Sequence, residues 1–190
     1  MGRVARIPKR RAYHEAGHAV AAVVLKLRLV SVSVIPDKAR TRTTIVGKGH
    51  SGGRTGIRRL SIPAFEIRDD GDQIGENARR IRRNILLAEG ERHAMYRIAG
   101  ALAEIRHTRG RANKLGVAGD YENMGYELRE TLKKIGEARD SNELRAWINR
   151  LESNTRALLK QHWRCVEKVA AELLVKHKLS GKYVRELMHR

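Results

Sequence analysis

Apolar residues crowd into one early stretch, where Ala16, Ala19, Val20, Ala21, Ala22, Val23, Val24 and Leu25 leave little room for polar ones. A run this apolar must be buried, and it predicts a helix over residues 10–28. Val30, Val32 and Val34 then alternate with Ser31 and Ser33 and stop at Pro36, the period of a short strand over 30–36. Periodicity is lost over 37–72. Glycines and basic residues fill 37–56, predicting a mobile loop, loose hairpin or flap; a second short strand fits 57–62, and Asp69-Asp70-Gly71-Asp72 marks a turn. Helical spacing returns over about 73–88 and 91–108, where Ile98, Ala99, Leu102 and Ile105 share a face. Gly116 to Gly119 predict a break, with Asp120 as the N-cap of a helix reaching about 138. Leu151, Leu158, Leu159, Val166, Val169, Leu173 and Leu174 keep helical spacing through 141–178, and Ser180-Gly181 precedes a last short helix. Residues 1–190 therefore read as a single, mainly α domain with a small β element.

The first helix carries chemistry as well as core. His14 and His18 stand four residues apart, so their imidazoles stack a turn apart on one face and can reach one metal ion. Glu15 sits between them. This is the HExxH arrangement of zinc peptidases: two neutral imidazole ligands, an open coordination position for water and a carboxylate as general base. A catalytic zinc needs a third protein ligand. Asp140 reads as a helix cap, while Asp37 and the 69–72 cluster fall in irregular segments. Glu104, on a helix, and Asp120, behind a glycine break, are the candidates. The glycine-rich stretch is not a phosphate loop, because no Gly-Lys-Ser/Thr ending or strand-to-helix frame accompanies it.

A family resemblance narrows the choice. Tyr13-His14-Glu15-Ala16-Gly17-His18-Ala19-Val20 resembles the zinc motif of the FtsH-type peptidases, the proteolytic half of membrane-anchored AAA+ zinc proteases. Ser31 to Pro36 is similar to the strand that follows that motif in the family. Ala99-Gly100-Ala101-Leu102-Ala103-Glu104 resembles its Gly-Gly-Arg-Ala-Ala-Glu helix, and Leu158 to Leu187 its terminal helices. Gly116-Val117-Ala118-Gly119-Asp120 resembles the segment whose final Asp is the third zinc ligand. The resemblance thus implies a helical zincin-type metallopeptidase domain with Zn2+ held by His14, His18 and Asp120. It makes Glu15 the base and leaves Glu104 a supporting role or that of alternative ligand. The strand residues Val32, Ser33 and Val34 are then expected to pair with an extended substrate backbone. The family's ATPase module and transmembrane segments have no counterpart here, so a free-standing domain is expected, with a separate ATPase as a candidate partner.

Composition changes this picture in one respect. A net charge of +19 on 190 residues creates a field that attracts acidic polypeptides, nucleic acid or anionic surfaces. The Arg79, Arg80, Arg82 and Arg83 run reads most simply as a solvated helix face. No nucleic-acid reader motif or stacking platform accompanies the charge, with aromatics at 4%, so an acidic polypeptide substrate is favoured over nucleic acid. The rival reading is a basic regulatory protein, binding nucleic acid or an acidic partner, with a non-catalytic zinc site. The lone Cys165 excludes an intramolecular disulfide and reads as a buried structural thiol. No apolar stretch reaches the roughly 20 residues of a membrane span. The basic start lacks a small-residue cleavage site, so a cytoplasmic location is expected. Oligomeric state, including a homo-oligomer, is left open.

Overall fold

The computed structural model describes residues 7–37, 40–41, 73–112 and 114–189. These form six helices and two small antiparallel strand pairs, a mainly α architecture with a small β element. Helix α1 (Lys9–Val24) is central: every residue from Glu15 to Ala22 is buried, because α2 (Gln73–His107), α5 (Trp163–Lys176) and α6 (Gly181–His189) all pack on it. Helix α2 also packs on α3 (Lys114–Ile135) and α4 (Ser141–Gln161).

Small side chains set the distance between the two central helices. A Cβ placed on Gly17 would stand 2.5 Å from the Ala103 Cβ and 2.6 Å from the Ala99 carbonyl oxygen. Glycine is therefore required there, and α1 and α2 approach almost backbone to backbone. Tyr96, Ile98, Leu102, Met124, Leu128, Leu151 and Leu159 fill the core around this contact. At about 25 cal/mol per Å² of buried apolar area, such aliphatic side chains contribute most of the stabilisation.

Several expected boundaries move, each for a physical reason. Helix α1 ends at Val24 rather than 28, since Lys26 takes a left-handed φ of 57° and Leu27 N–H closes onto the Ala22 carbonyl. The segments 73–88 and 91–108 form one 35-residue helix, because Gly90 stays helical where Thr131 of α3 lies against it. The break at 116–119 is absent. Both glycines lie inside α3, which starts at Lys114, so Asp120 is in its second turn and does not cap it. The helix over 141–178 divides at His162, a kink that sends α4 along α2 and α5 along α1. Asp140 is a cap as expected: its Oδ1 accepts from the Asn142 and Glu143 N–H groups, and Glu143 returns a bond to the Asp140 N–H.

The expected strand over 30–36 contracts to β1 (Ser31–Ser33). Two residue pairs, β2 (Pro36–Asp37) and β3 (Arg40–Thr41), follow as a small hairpin. The partner of β1 is β4 (Lys178–Ser180), antiparallel with Val32 opposite Leu179. Three residues are too few to show a period, which is why β4 escapes the sequence pattern. His177, with φ of 63°, ends α5, and its carbonyl accepts from Val34 N–H. Cys165 is half-buried with Sγ near the Met188 carbonyl. The rest of the expected mobile region 37–72, with its flap, second strand and acidic turn, lies outside the described residues. Among the described residues no helix is long and apolar enough to cross a membrane.

The α1–α2 contact yields a direct test. Gly17→Ala should lower the stability of the metal-free protein by about 1–3 kcal/mol despite alanine's better helix propensity. A lower urea midpoint with an unchanged slope is the expected result.

Candidate metal centre

The close approach of α1 to α2 places His14 and His18 against groups that fix their imidazoles. His14 Nδ1 lies 3.1 Å from Glu104 Oε2, and His18 Nδ1 lies 2.9 Å from the Tyr96 carbonyl oxygen. Carboxylate and carbonyl are both acceptors, so each Nδ1 carries the proton and donates it. Each Nε2 is then left with a lone pair. Those two nitrogens point at one another across 3.2 Å, and Asp120 Oδ2 stands 3.5 Å from both.

Three lone pairs converging this closely repel unless a cation lies among them. Two donors about 2.0–2.1 Å from a tetrahedral zinc stand about 3.3 Å apart, close to all three separations here. Two imidazoles and a carboxylate also suit zinc chemically. The residues present therefore fit a divalent metal. Among the described residues His14, His18 and Asp120 are the only cluster of three such side chains close enough to share one ion.

Each ligand is held from outside the triad. The Ala101 backbone N–H donates to Asp120 Oδ2 across the α2–α3 interface at 2.9 Å. Burial raises the Asp120 pKa, but the positive charge that His18 and His14 carry when protonated, together with that N–H, outweighs it and holds the carboxyl below its ordinary value. Glu104 is buried behind His14 and, through Nδ1, makes the ring a better donor on its far side. Gly100 clears the ground for His18, since a Cβ there would stand 2.2 Å from Nε2. At the outer end of the motif, the Tyr13 ring stacks on His107 at 3.6 Å between centroids and also faces Trp163.

Glu15 is buried and keeps one carboxylate oxygen, Oε2, free of hydrogen bonds among the described residues. Burial pushes its pKa up to about 7, with Asp120 and Glu104 adding to the rise while His14 and Arg11 oppose it. Such a carboxyl takes and returns a proton near neutrality.

The structure thus brings together His14, His18, Asp120, Glu104 and Glu15 from α1, α2 and α3. It places the strand residues differently. The Val32 and Val34 side chains are fully buried in the core, and Ser33 Oγ bonds to the His177 carbonyl. Because Val30 and Val34 bond toward the β4 side, the backbone groups of Ser31 and Ser33 face the opposite edge. Any substrate pairing falls to the backbone groups at Ser33. Residue patterns did not reveal the Tyr96 carbonyl, since main-chain acceptors leave no trace in sequence. The need for Gly100 carries a faint signal, a glycine inside an otherwise helical small-residue run. No protein-family model matches the chain, and none of the curated proteins compared with it matches either.

Two substitutions separate ligand support from ligation. Glu104→Gln should keep the fold and weaken zinc binding by about 10–100-fold, read by competition with a chromogenic chelator. Gly100→Ala gains about 1 kcal/mol of helix propensity yet crowds His18. It should therefore lose zinc affinity with little change in the melting temperature of the metal-free protein.

Proposed function

We propose that the protein is a zinc-dependent metalloendopeptidase that hydrolyses peptide bonds in flexible or unfolded polypeptide segments. The observation that carries this reading is Glu15: a buried carboxylate, unpartnered at Oε2, beside three convergent lone-pair donors. A structural metal site has no use for such a group, because an unpaired buried carboxyl costs stability and returns nothing. This favours an enzyme over a basic binding protein with a non-catalytic zinc. The resemblance of the HExxH, Ala99–Glu104 and Asp120 segments to FtsH-type peptidases supports the same reading.

His14, His18 and Asp120 would hold the metal, whose chemistry is to lower the pKa of water and to polarise a carbonyl. The remaining work belongs to the chain. Glu15 Oε2 takes the proton of the attacking water and returns it to the leaving amine. Glu104 and the Tyr96 carbonyl keep both imidazoles aimed inward, so no reorganisation is needed as charge develops. The outer edge of β1, at Ser33, offers main-chain hydrogen bonds to an extended peptide, which gives affinity with modest sequence preference. A peptidase site does no unfolding work against the 5–15 kcal/mol that typically stabilises a domain. Its substrates are accordingly tails, loops and unfolded chains, or proteins delivered by a separate ATPase.

Glu15→Gln should retain about one zinc per chain and lose casein hydrolysis by a factor of about 100 or more. His18→Ala and Asp120→Ala should lose zinc and cleavage together, and a chelator should silence the wild type. Chelator-insensitive cleavage, or full turnover by Glu15→Gln, would overturn the proposal.

A further inference from the structure

Away from the metal centre, the N-terminal part of α2 and the C-terminal end of α3 enclose a cleft of about 790 Å³. Arg79, Arg80, Arg82 and Arg83 line one side and Lys134 the other. The arginine run expected to be a plain solvated face is thus one wall of a concave surface. Its shape depends on the end of α3. Gly136, with φ of 70°, closes that helix as Glu137 N–H bonds to the Leu132 carbonyl, and Glu137 turns back to pair with Arg83.

The geometry points to this cleft as a docking site for an acidic polypeptide segment with apolar anchors. The cationic side chains outnumber the carboxylates there, which are Glu76 in the lining and the Glu137 that pairs with Arg83. Leu86 and Ile135 lie among them and offer contact to aliphatic side chains. Nucleic acid fits less well. Among the described residues no aromatic ring lines the cleft to stack a base, and the two carboxylates interrupt the continuous positive track a phosphate backbone follows. Alternating acidic and apolar residues meet all of these features at once.

The docking site and the metal centre share one helix. Asp120 bonds to Ala101 of α2, and eighteen residues separate Arg83 from Ala101. At 1.5 Å per residue the two lie about 27 Å apart along the helix. An extended chain spans at most about 3.3–3.6 Å per residue, so roughly eight residues must separate a docked segment from a bond at the metal centre. This consequence rests on the peptidase reading; the docking itself does not.

The probe is a fluorescein-labelled peptide of roughly sixteen residues built from Glu and Leu, measured by anisotropy on the full chain. The comparators are its Glu→Gln counterpart and an oligothymidylate of equal length. The wild type should bind the acidic peptide best, and more weakly as salt rises. The double variant Arg80→Glu/Arg82→Glu, both exposed, should lose about tenfold or more in affinity while keeping its circular dichroism and zinc content. Equal binding by the variant would overturn the assignment. Tighter binding of the oligothymidylate, lost in the same variant, would overturn it in favour of nucleic acid. The peptide is then extended through spacers of about four or twelve residues to a cleavable segment. Cleavage with the long spacer alone is expected, and equal cleavage with both would overturn the role of the cleft as an anchor. Capture without cleavage at either length would overturn the peptidase reading and leave the docking site standing.

Discussion

Everything in the candidate centre depends on how closely α1 and α2 approach. Gly17 against Ala99 and Ala103 sets that distance, and Gly100 extends it to the level of His18. A larger side chain at Gly17 would part the helices, and one at Gly100 would displace the His18 ring. The Nδ1 bonds to Glu104 and to the Tyr96 carbonyl would then lengthen, and the imidazoles would be free to rotate. One packing contact therefore fixes two tautomers and two ring orientations. The third donor arrives by another contact, the Ala101 N–H on Asp120, which belongs to the same stretch of α2. Residues 96–104 are thus a template on which both partner helices are registered.

The sequence disclosed the parts of this arrangement that use side-chain spacing and hid those that use the main chain or the packing of distant segments. His14, Glu15 and His18 were readable because four residues make one helical turn. Glu104 and Asp120 could be selected, yet not ranked by residue type alone, since either carboxylate can ligate zinc. The geometry separates their positions: Glu104 stands at Nδ1 of His14, Asp120 at both Nε2 atoms. Asp120 was also read for a reason that failed, as a cap behind a glycine break. Gly116 and Gly119 proved helical because packing of α3 on α2 outweighs their weak intrinsic preference. Gly90 misled in the same way. Alternation along 30–34 marks a strand but not its partner; the Val32 and Val34 side chains complete the core.

Charge and fold are separable here. The buried interior of the described residues is aliphatic, with carboxylates and histidines at two places, the metal centre and the His93–Glu127 contact between α2 and α3. Among the described residues, exposed basic side chains gather at the N-terminal end of α2, where Arg79, Arg80, Arg82 and Arg83 line the cleft. The 35-residue helix α2 joins the metal centre to an electropositive exterior cleft. The charges that act on Glu15 are its neighbours His14, Arg11, Asp120 and Glu104, none of them in the cleft.

The pairing of β1 with β4 brings together segments about 150 residues apart in the chain. Ribosomal synthesis proceeds from the N-terminus, so the donors at 14, 18 and 120 emerge well before residues 178–180. Until those last residues leave the exit tunnel, β1 has no neighbour and α1 lacks the cover of α6. The donors at 14, 18 and 120 can thus gather on a nascent chain before β1 has its strand partner.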